Sequence, residues 1–148
     1  VELTEWHRDL YQAPDIGGPD PGRQFDEHLD RVGSENVWVA EAEGRVVGMA
    51  GLIPGEQVDE LEPLVVTAAH RRRGIGARLA HAVIQVSRER GASYLRVRPT
   101  ARNALALGFF HKQGFDVLGQ VELLHDFRPE DRRTWRVGET LAKLAFKV

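Results

Sequence analysis

A short segment with two glycines and four arginines is the part of this chain best suited to chemistry. It runs from His70 to Leu79 and reads His-Arg-Arg-Arg-Gly-Ile-Gly-Ala-Arg-Leu. It follows an apolar run, Leu61 to Val66, that predicts a strand, and it opens an amphipathic helix. The glycines let the backbone turn so that consecutive N–H groups can point at one anion, and the helix start adds the positive end of its dipole. The segment therefore predicts a pyrophosphate-binding loop.

Three kinds of phosphate loop could use these glycines. A Walker loop requires Lys and then Ser or Thr after its last glycine, whereas Gly76 is followed by Ala77 and Arg78. The dinucleotide fingerprint Gly-x-Gly-x-x-Gly lacks its third glycine, since Leu79 stands there. The pattern Gln/Arg-x-x-Gly-x-Gly/Ala is matched by Arg71 to Gly76.

A second motif follows in the order that this third pattern requires. Asn103-Ala104-Leu105-Ala106 and Phe109 to Phe115 are similar to the signature Asn-x-x-Ala-x-x-x-Tyr-x-x-x-Gly-Phe. On these two motifs the chain resembles the GNAT superfamily of N-acyltransferases over roughly Val37 to Val121. The resemblance implies acetyl-CoA (coenzyme A) as the acyl donor.

The resemblance also implies which residues bind the coenzyme. The pyrophosphate would be held by the backbone N–H groups of the loop, which comprises Arg71, Arg72, Arg73, Gly74, Ile75, Gly76 and Ala77. The pantetheine arm would pair with the backbone of Leu64, Val65 and Val66, and an N–H of Val65 or Val66 would stabilise the oxyanion. Asn103 would contact the coenzyme near the second helix. An alternative for each is a purely structural role, with the glycines starting a helix and Asn103 a polar first-turn residue.

Two carboxylates on the preceding strand are the candidate general bases. Glu60 and Glu62 are two residues apart, so both should face the same side. An amine attacks only when neutral, and paired carboxylates raise each other's pKa, which would suit a base near neutral pH. We favour Glu62, which is nearer the expected thioester; the alternative is that both are solvated edge glutamates.

One position departs from the resemblance. The tyrosine that would protonate the leaving thiolate is replaced by Phe110, which has no proton to donate. Phe110 would still border the coenzyme, and water, His111 or Tyr94 could supply the proton.

Composition limits the other classes of function. The 148 residues include no cysteine and carry a formal net charge of −2, so the arginines form a local patch rather than the basic domain of a nucleic-acid binder. The six histidines lack paired ligand spacing, and we expect no metal. No run is long enough to span a membrane and no signal pattern opens the sequence, so we expect a cytoplasmic protein.

The elements that must position these residues form one βαβ unit behind a hairpin. We expect a loop over Ala13 to Gly22 and a short helix ending at Gly33. The predicted strands are Val37 to Ala42, Arg45 to Ile53, Val58 to Val66, Tyr94 to Arg98, Phe115 to Leu124 and Thr140 to Val148. The predicted helices end at Gly91 and, after a cap at Thr100, at Lys112.

Together these predict an α+β fold of three layers (α/β/α), over a single domain of residues 1–148. Its sheet is mixed and mostly antiparallel, with a central parallel, splayed strand pair, as in the GNAT acyl-CoA N-acyltransferase fold. The expected function is direct transfer of an acetyl (acyl) group to a primary amine of a small molecule, peptide or protein. The alternative is a catalytically silent acyl-CoA-binding regulatory module. Trp135 and the terminal strand could supply a homodimer contact.

Overall fold

The computed structural model describes residues 19–101, 103–123, 125–129 and 131, and its sheet starts with a hairpin. Strands β1 (Val37–Ala42) and β2 (Arg45–Ile53) pair antiparallel. The two residues between them, Glu43 and Gly44, both have positive φ, 54° and 71°. This is the type I′ geometry whose twist matches that of the flanking strands. The predicted hairpin is confirmed with the predicted bounds.

The sheet then continues through one antiparallel and one parallel pairing. Strand β3 (Val58–Val66) pairs antiparallel with β2, and β4 (Tyr94–Arg96) pairs parallel with β3, which gives the order β1-β2-β3-β4. Only three residue pairs join β3 and β4, the last of them Glu60 with Arg96. The rest of β3 therefore runs on without β4 beside it. The predicted mixed sheet with a splayed parallel pair is confirmed, although β4 ends at Arg96 rather than Arg98.

One long helix covers a face of this sheet. Helix α2 (Ile75–Glu89), the second helix after α1 (Pro21–Val32), presents Leu79, Ala80 and Val83, all buried, to strands β1, β2 and β3. The facing strands contribute small or apolar residues such as Ala50 and Leu52, which are fully buried. The helix ends before Gly91, whose φ of 81° is one that a residue without Cβ adopts without strain. This core fixes where α2 begins relative to the end of β3.

The helix that precedes the sheet starts earlier than expected. Helix α1 spans Pro21–Val32 and is capped by Asp20, whose Oδ1 accepts the Arg23 N–H at 3.1 Å. Pro21 stands in the first turn, where its missing N–H costs no helical hydrogen bond. The predicted loop thus gives way to helix at Pro21 instead of after Gly22. Its residues 13–18 lie outside the described part of the chain.

Residues 1–98 and 99–148 form two compact units. In the second, helix α3 (Ala104–Lys112) is capped by Asn103 rather than by Thr100 as predicted, because the Asn103 Oδ1 accepts the Ala106 N–H at 3.0 Å. Over residues 115–123 the structure has an isolated bridge at Val117 and no strand, so the strand predicted from Phe115 is wrong there. Side chains such as Leu123 are exposed there, and β-propensity is expressed only where a strand can pack.

Several predictions lie outside the described residues. These are the strand over Thr140 to Val148, the end of the preceding one at Leu124, and the dimer contact of Trp135. The assignment of residues 1–148 to a single domain also stays a prediction. In the described ranges, no helix is both long enough and apolar enough to cross a bilayer.

Candidate functional site

The loop between β3 and α2 has a backbone that could enclose an anion. After a short 3₁₀ turn (Ala68–His70), two residues take positive φ, Arg72 at 60° and Gly74 at 80°. A Cβ built at Gly74 meets no atom within 4 Å, so the space beside this residue is open. The loop is tied to the strand because Arg71 Nε donates to the Val66 carbonyl oxygen at 2.8 Å. The turn is thus held at its base and open at its tip.

The start of α2 leaves its N–H groups available. Gly74 is the N-cap and makes no side-chain capping hydrogen bond, and the first turn contains no acidic residue. The first intrahelical hydrogen bond at this end runs from the Arg78 N–H to the Gly74 carbonyl oxygen at 3.1 Å. The N–H groups of Ile75, Gly76 and Ala77 precede it and have no acceptor within the helix. With the helix dipole, they form an arrangement suited to a phosphate group.

The open side of β3 offers backbone groups in the same place. The Thr67 N–H donates to the Val47 carbonyl oxygen at 2.9 Å. Because antiparallel pairing alternates, the backbone groups of Val65 point toward β2, whereas those of Leu64 and Val66 point to the other side. That other side is where β4 has already ended. Of the two residues expected to provide the oxyanion N–H, this geometry favours Val66 over Val65.

Glu60 lies at the point where β3 and β4 part, and it is paired with two arginines. Arg96 donates to its Oε2 through Nε at 2.9 Å and through Nη2 at 2.8 Å. Arg98 Nε donates to its Oε1 at 2.6 Å. The Glu60 side chain is 4% exposed, whereas those of Arg96 and Arg98 are 51% and 67% exposed. The carboxylate is thus enclosed between strand and guanidinium groups.

This arrangement contradicts the expected pKa of Glu60. Burial raises the pKa of the carboxyl, but the hydrogen bonds and charges of Arg98 and Arg96 outweigh it and hold the pKa below its ordinary value of 4.5. The prediction that Glu62 raises the pKa of Glu60 is therefore wrong. The physical reason is that opposite charges, not a like charge, surround the buried oxygen atoms. Glu60 is a poor proton acceptor near neutral pH.

Glu62 is exposed, in contrast to Glu60, and it lies in a bulge of β3. The register with β2 shifts between Ala50 and Leu52, where Glu62 and Pro63 together face Gly51. Pro63 has no N–H to donate, and a bulge is where a sheet tolerates that. A Cβ at Gly51 would be 2.5 Å from the Glu62 carbonyl oxygen, so only glycine allows this approach. The bulge therefore determines the backbone position of Glu62 in β3.

A further buried carboxylate was not singled out from the sequence. Asp59 is fully buried, and its Oδ1 accepts the Gly55 N–H at 2.9 Å. Its Oδ2 lies 3.5 Å from Nε of Arg90, just beyond α2. Asp59 thus joins the β2–β3 loop to the end of α2, on the opposite face of β3 from Glu60. The sequence signal for it was that Asp59 and Glu60 are adjacent, so that in a strand their side chains must lie on opposite faces.

The second unit contains the two remaining predicted residues. Asn103 is buried, and its side chain caps α3. Phe110 packs edge-to-face with Phe109 and Phe115, at ring-centroid distances of 5.1 and 5.5 Å. These contacts are those of a polar cap and of an aromatic cluster. A role of either residue beside the coenzyme stays a prediction.

The described residues contain no candidate metal-binding site. No group of three or more histidine, aspartate or glutamate side chains is arranged there to hold an ion. The buried carboxylates are instead engaged by arginines.

Comparison with known proteins identifies the family of this chain. The family model of the acetyltransferase (GNAT) family matches residues 1–115. The chain is 35% identical over 89 residues to N-acetyltransferase 8 of Homo sapiens, an alignment that covers 56% of this chain and 39% of that protein. The chain thus spans well under half the length of this relative.

Solved structures show the same fold. Aminoglycoside N-acetyltransferase AAC(6')-Iy in complex with CoA superposes with a TM-score of 0.62 at 16% identity, covering 84% of this chain and 91% of that one. The aminoglycoside acetyltransferase meta-AAC0020, from an uncultured soil metagenomic sample and in complex with sisomicin, gives a TM-score of 0.61 at 23% identity, with 86% and 87% covered. With the family model matching more than half of its residues, the chain belongs to the GNAT acetyltransferase family.

Proposed function

We propose that this protein is an acetyl-CoA-dependent N-acyltransferase that transfers the acyl group directly to an amine. One observation carries the proposal: an uncapped helix N-terminus follows a strand whose outer edge is open. The N-terminus of α2 suits a pyrophosphate, and the free edge of β3 suits an extended amide-containing arm. Both features lie at the same end of β3, as a ligand of the shape of coenzyme A requires. The CoA complex of a structurally similar acetyltransferase supports this assignment.

The residues of the β3–α2 connection would hold the coenzyme. The N–H groups of Ile75, Gly76 and Ala77, with the loop arginines, would bind the phosphates. Leu64 would pair with the arm through its outward backbone groups, since the Val66 carbonyl oxygen already accepts from Arg71 Nε. The Val66 N–H would stabilise negative charge on the reacting oxygen. When bound, acetyl-CoA supplies an acyl group activated as a thioester.

Glu62 is the proposed general base. A protonated amine is not nucleophilic, so the site must accept a proton as the C–N bond forms. Glu62 is exposed on β3 and carries no ion pair among the described contacts, whereas Glu60 is engaged by two arginines. We therefore assign proton transfer to Glu62, directly or through water, and a positioning role to Glu60. The thiolate leaves as the C–S bond breaks, and water supplies its proton.

Two measurements test the coenzyme and the reaction separately. Thermal-shift experiments with acetyl-CoA, ATP and NAD should show stabilisation by acetyl-CoA, and selective stabilisation by ATP or NAD would refute the assignment. Turnover is measured with a panel of primary amines by titrating released thiol with Ellman's reagent. The chain has no cysteine of its own, so the signal reports only free coenzyme A.

The second candidate function is a non-catalytic acyl-CoA-binding module. It is favoured by one observation, the phenylalanine at position 110, whose ring is packed among Phe109 and Phe115 and has no proton to donate. This alternative predicts stabilisation by acetyl-CoA together with no thiol release for any amine. Thiol release that depends on an amine would exclude it.

A further inference from the structure

Three side chains of β4 and its continuation lie on the face of the sheet that α2 does not cover. Asp59 faces α2, as its contact with Arg90 shows, so the neighbouring Glu60 faces the opposite side. Arg96 and Arg98 contact Glu60 and therefore share that face. Tyr94, two residues before Arg96 in the same strand, is 70% exposed. An aromatic ring and two guanidinium groups thus form a row beside the opening between β3 and β4.

Glu60 orients the guanidinium of Arg96 without using all of its donors. A guanidinium has five N–H donors, and Arg96 contacts Glu60 only through Nε and Nη2. About half of the Arg96 side chain and two thirds of the Arg98 side chain stay exposed. A buried carboxylate that fixes two exposed cations is an arrangement suited to binding a second carboxylate by a planar fork.

The two arginines lie close along the sheet to Glu62, the proposed general base. Arg96 is the last residue of β4 and stands opposite Glu60, and Glu62 follows two residues further along β3. Two strand residues span roughly 7 Å. An acceptor that places its carboxylate against the arginines could therefore bring an amine a few bonds away to Glu62.

We propose that Arg96 and Arg98, held by Glu60, form the acceptor subsite and select amines that carry a nearby carboxylate, that is, amino acids. This inference rests on the proposed N-acyltransferase function and adds the class of acceptor. The two arginines are specificity residues, and Glu60 is a positioning residue that acts through them.

The experiment compares acceptors that differ only in one charge. Turnover with saturating acetyl-CoA is measured for α-, β- and γ-amino acids and for the amide of each. The variants are R98Q, which leaves Arg96 to pair with Glu60, and R96K, which keeps a positive charge there but loses the planar fork. The matched control is R88Q, an exposed arginine near the end of α2.

We expect the protein to prefer the amino acids over their amides, and we expect the two arginines to cause this preference. Wild-type protein should favour at least one acid over its amide by about tenfold or more in kcat/KM. R98Q should lower kcat/KM for the acids by about 10- to 100-fold, through a higher KM. It should leave kcat/KM for the amides within about twofold of the wild-type value. R96K should fall between R98Q and wild type, and R88Q should match wild type. The KM of acetyl-CoA should not change in any variant.

Three outcomes would overturn the inference while leaving the proposed function intact. These are equal turnover of acids and amides by wild-type protein, equal loss for both in R98Q, and a raised KM for acetyl-CoA, which would place the arginines on the coenzyme. Absence of thiol release with every amine tested would instead refute the proposed function. In that case the subsite is tested by thermal shift with N-acetyl amino acids and their amides in the presence of CoA, where equal stabilisation refutes it.

Discussion

Replacing Glu60 by glutamine separates a positioning role from a catalytic one. The substitution keeps the shape of the side chain and removes its charge. In the folded protein the Glu60 side chain is 4% exposed, and its carboxylate accepts hydrogen bonds from Arg96 and Arg98. E60Q therefore leaves two guanidinium groups without their anion where β3 and β4 part.

The contacts give the expected size of the effect. A hydrogen bond to a charged group contributes about 1.5–3 kcal/mol, and breaking a buried ion pair costs about 3–5 kcal/mol. The Arg96 and Arg98 side chains are 51% and 67% exposed, so water compensates part of their loss, and the glutamine oxygen still accepts one hydrogen bond. We expect E60Q to lower the free energy of unfolding by about 1.5–3 kcal/mol near neutral pH. This corresponds to a fall in Tm of about 3–12 °C.

The pH dependence makes this prediction specific. The pKa of Glu60 in the folded protein lies below its ordinary value of 4.5. Its carboxylate therefore contributes its full stability above about pH 4.5, and this contribution is lost as the pH falls through the folded pKa. The difference in Tm between wild type and E60Q should be complete near pH 7 and shrink in acid, because protonated glutamate and glutamine are both neutral.

Thermal melts followed by circular dichroism across this pH range measure the difference. The matched control is E56Q, at an exposed glutamate of the β2–β3 loop, which should stay within about 0.5 kcal/mol of wild type. A Tm difference that persists unchanged in acid would refute the reasoning, as would an E60Q protein that is as stable as wild type at pH 7.

Three further substitutions test other parts of the site. E62Q should lower kcat by about 100-fold or more without changing acetyl-CoA affinity in a thermal-shift titration, and an unchanged kcat would move the base elsewhere. G51A should destabilise the protein by about 1–3 kcal/mol in chemical denaturation, because its Cβ would be 2.5 Å from the Glu62 carbonyl oxygen. Its control, G108A in α3, meets no atom within 4 Å and should stabilise by about 0.5–1 kcal/mol. G74A forces a Cβ into the left-handed region and should cost about 1–2 kcal/mol and weaken acetyl-CoA binding; equal affinity would show that this turn does not hold the coenzyme.

Local sequence was enough to predict the first part of the fold. The hairpin, β3 and the start of α2 follow from alternation, from a turn glycine and from helical periodicity, which are all short-range signals. The cap of α3 was missed because Thr100 and Asn103 are both good caps, and the choice depends on which side chain reaches an N–H. The strand after Phe115 was overpredicted because apolar residues there have no partner strand in the described residues.

The role of Glu60 depends on contacts that the fold makes. Neighbours along the chain are enough to predict that a glycine loop follows a strand and opens a helix, and that carboxylates precede it. They do not reveal which charges surround each carboxylate. The arginines that bind Glu60 lie 36 and 38 residues later, and only the parallel pairing of β3 with β4 brings them to it. The energy of a charge depends on its surroundings in space, so the fold made one glutamate a buried anchor and left Glu62 exposed.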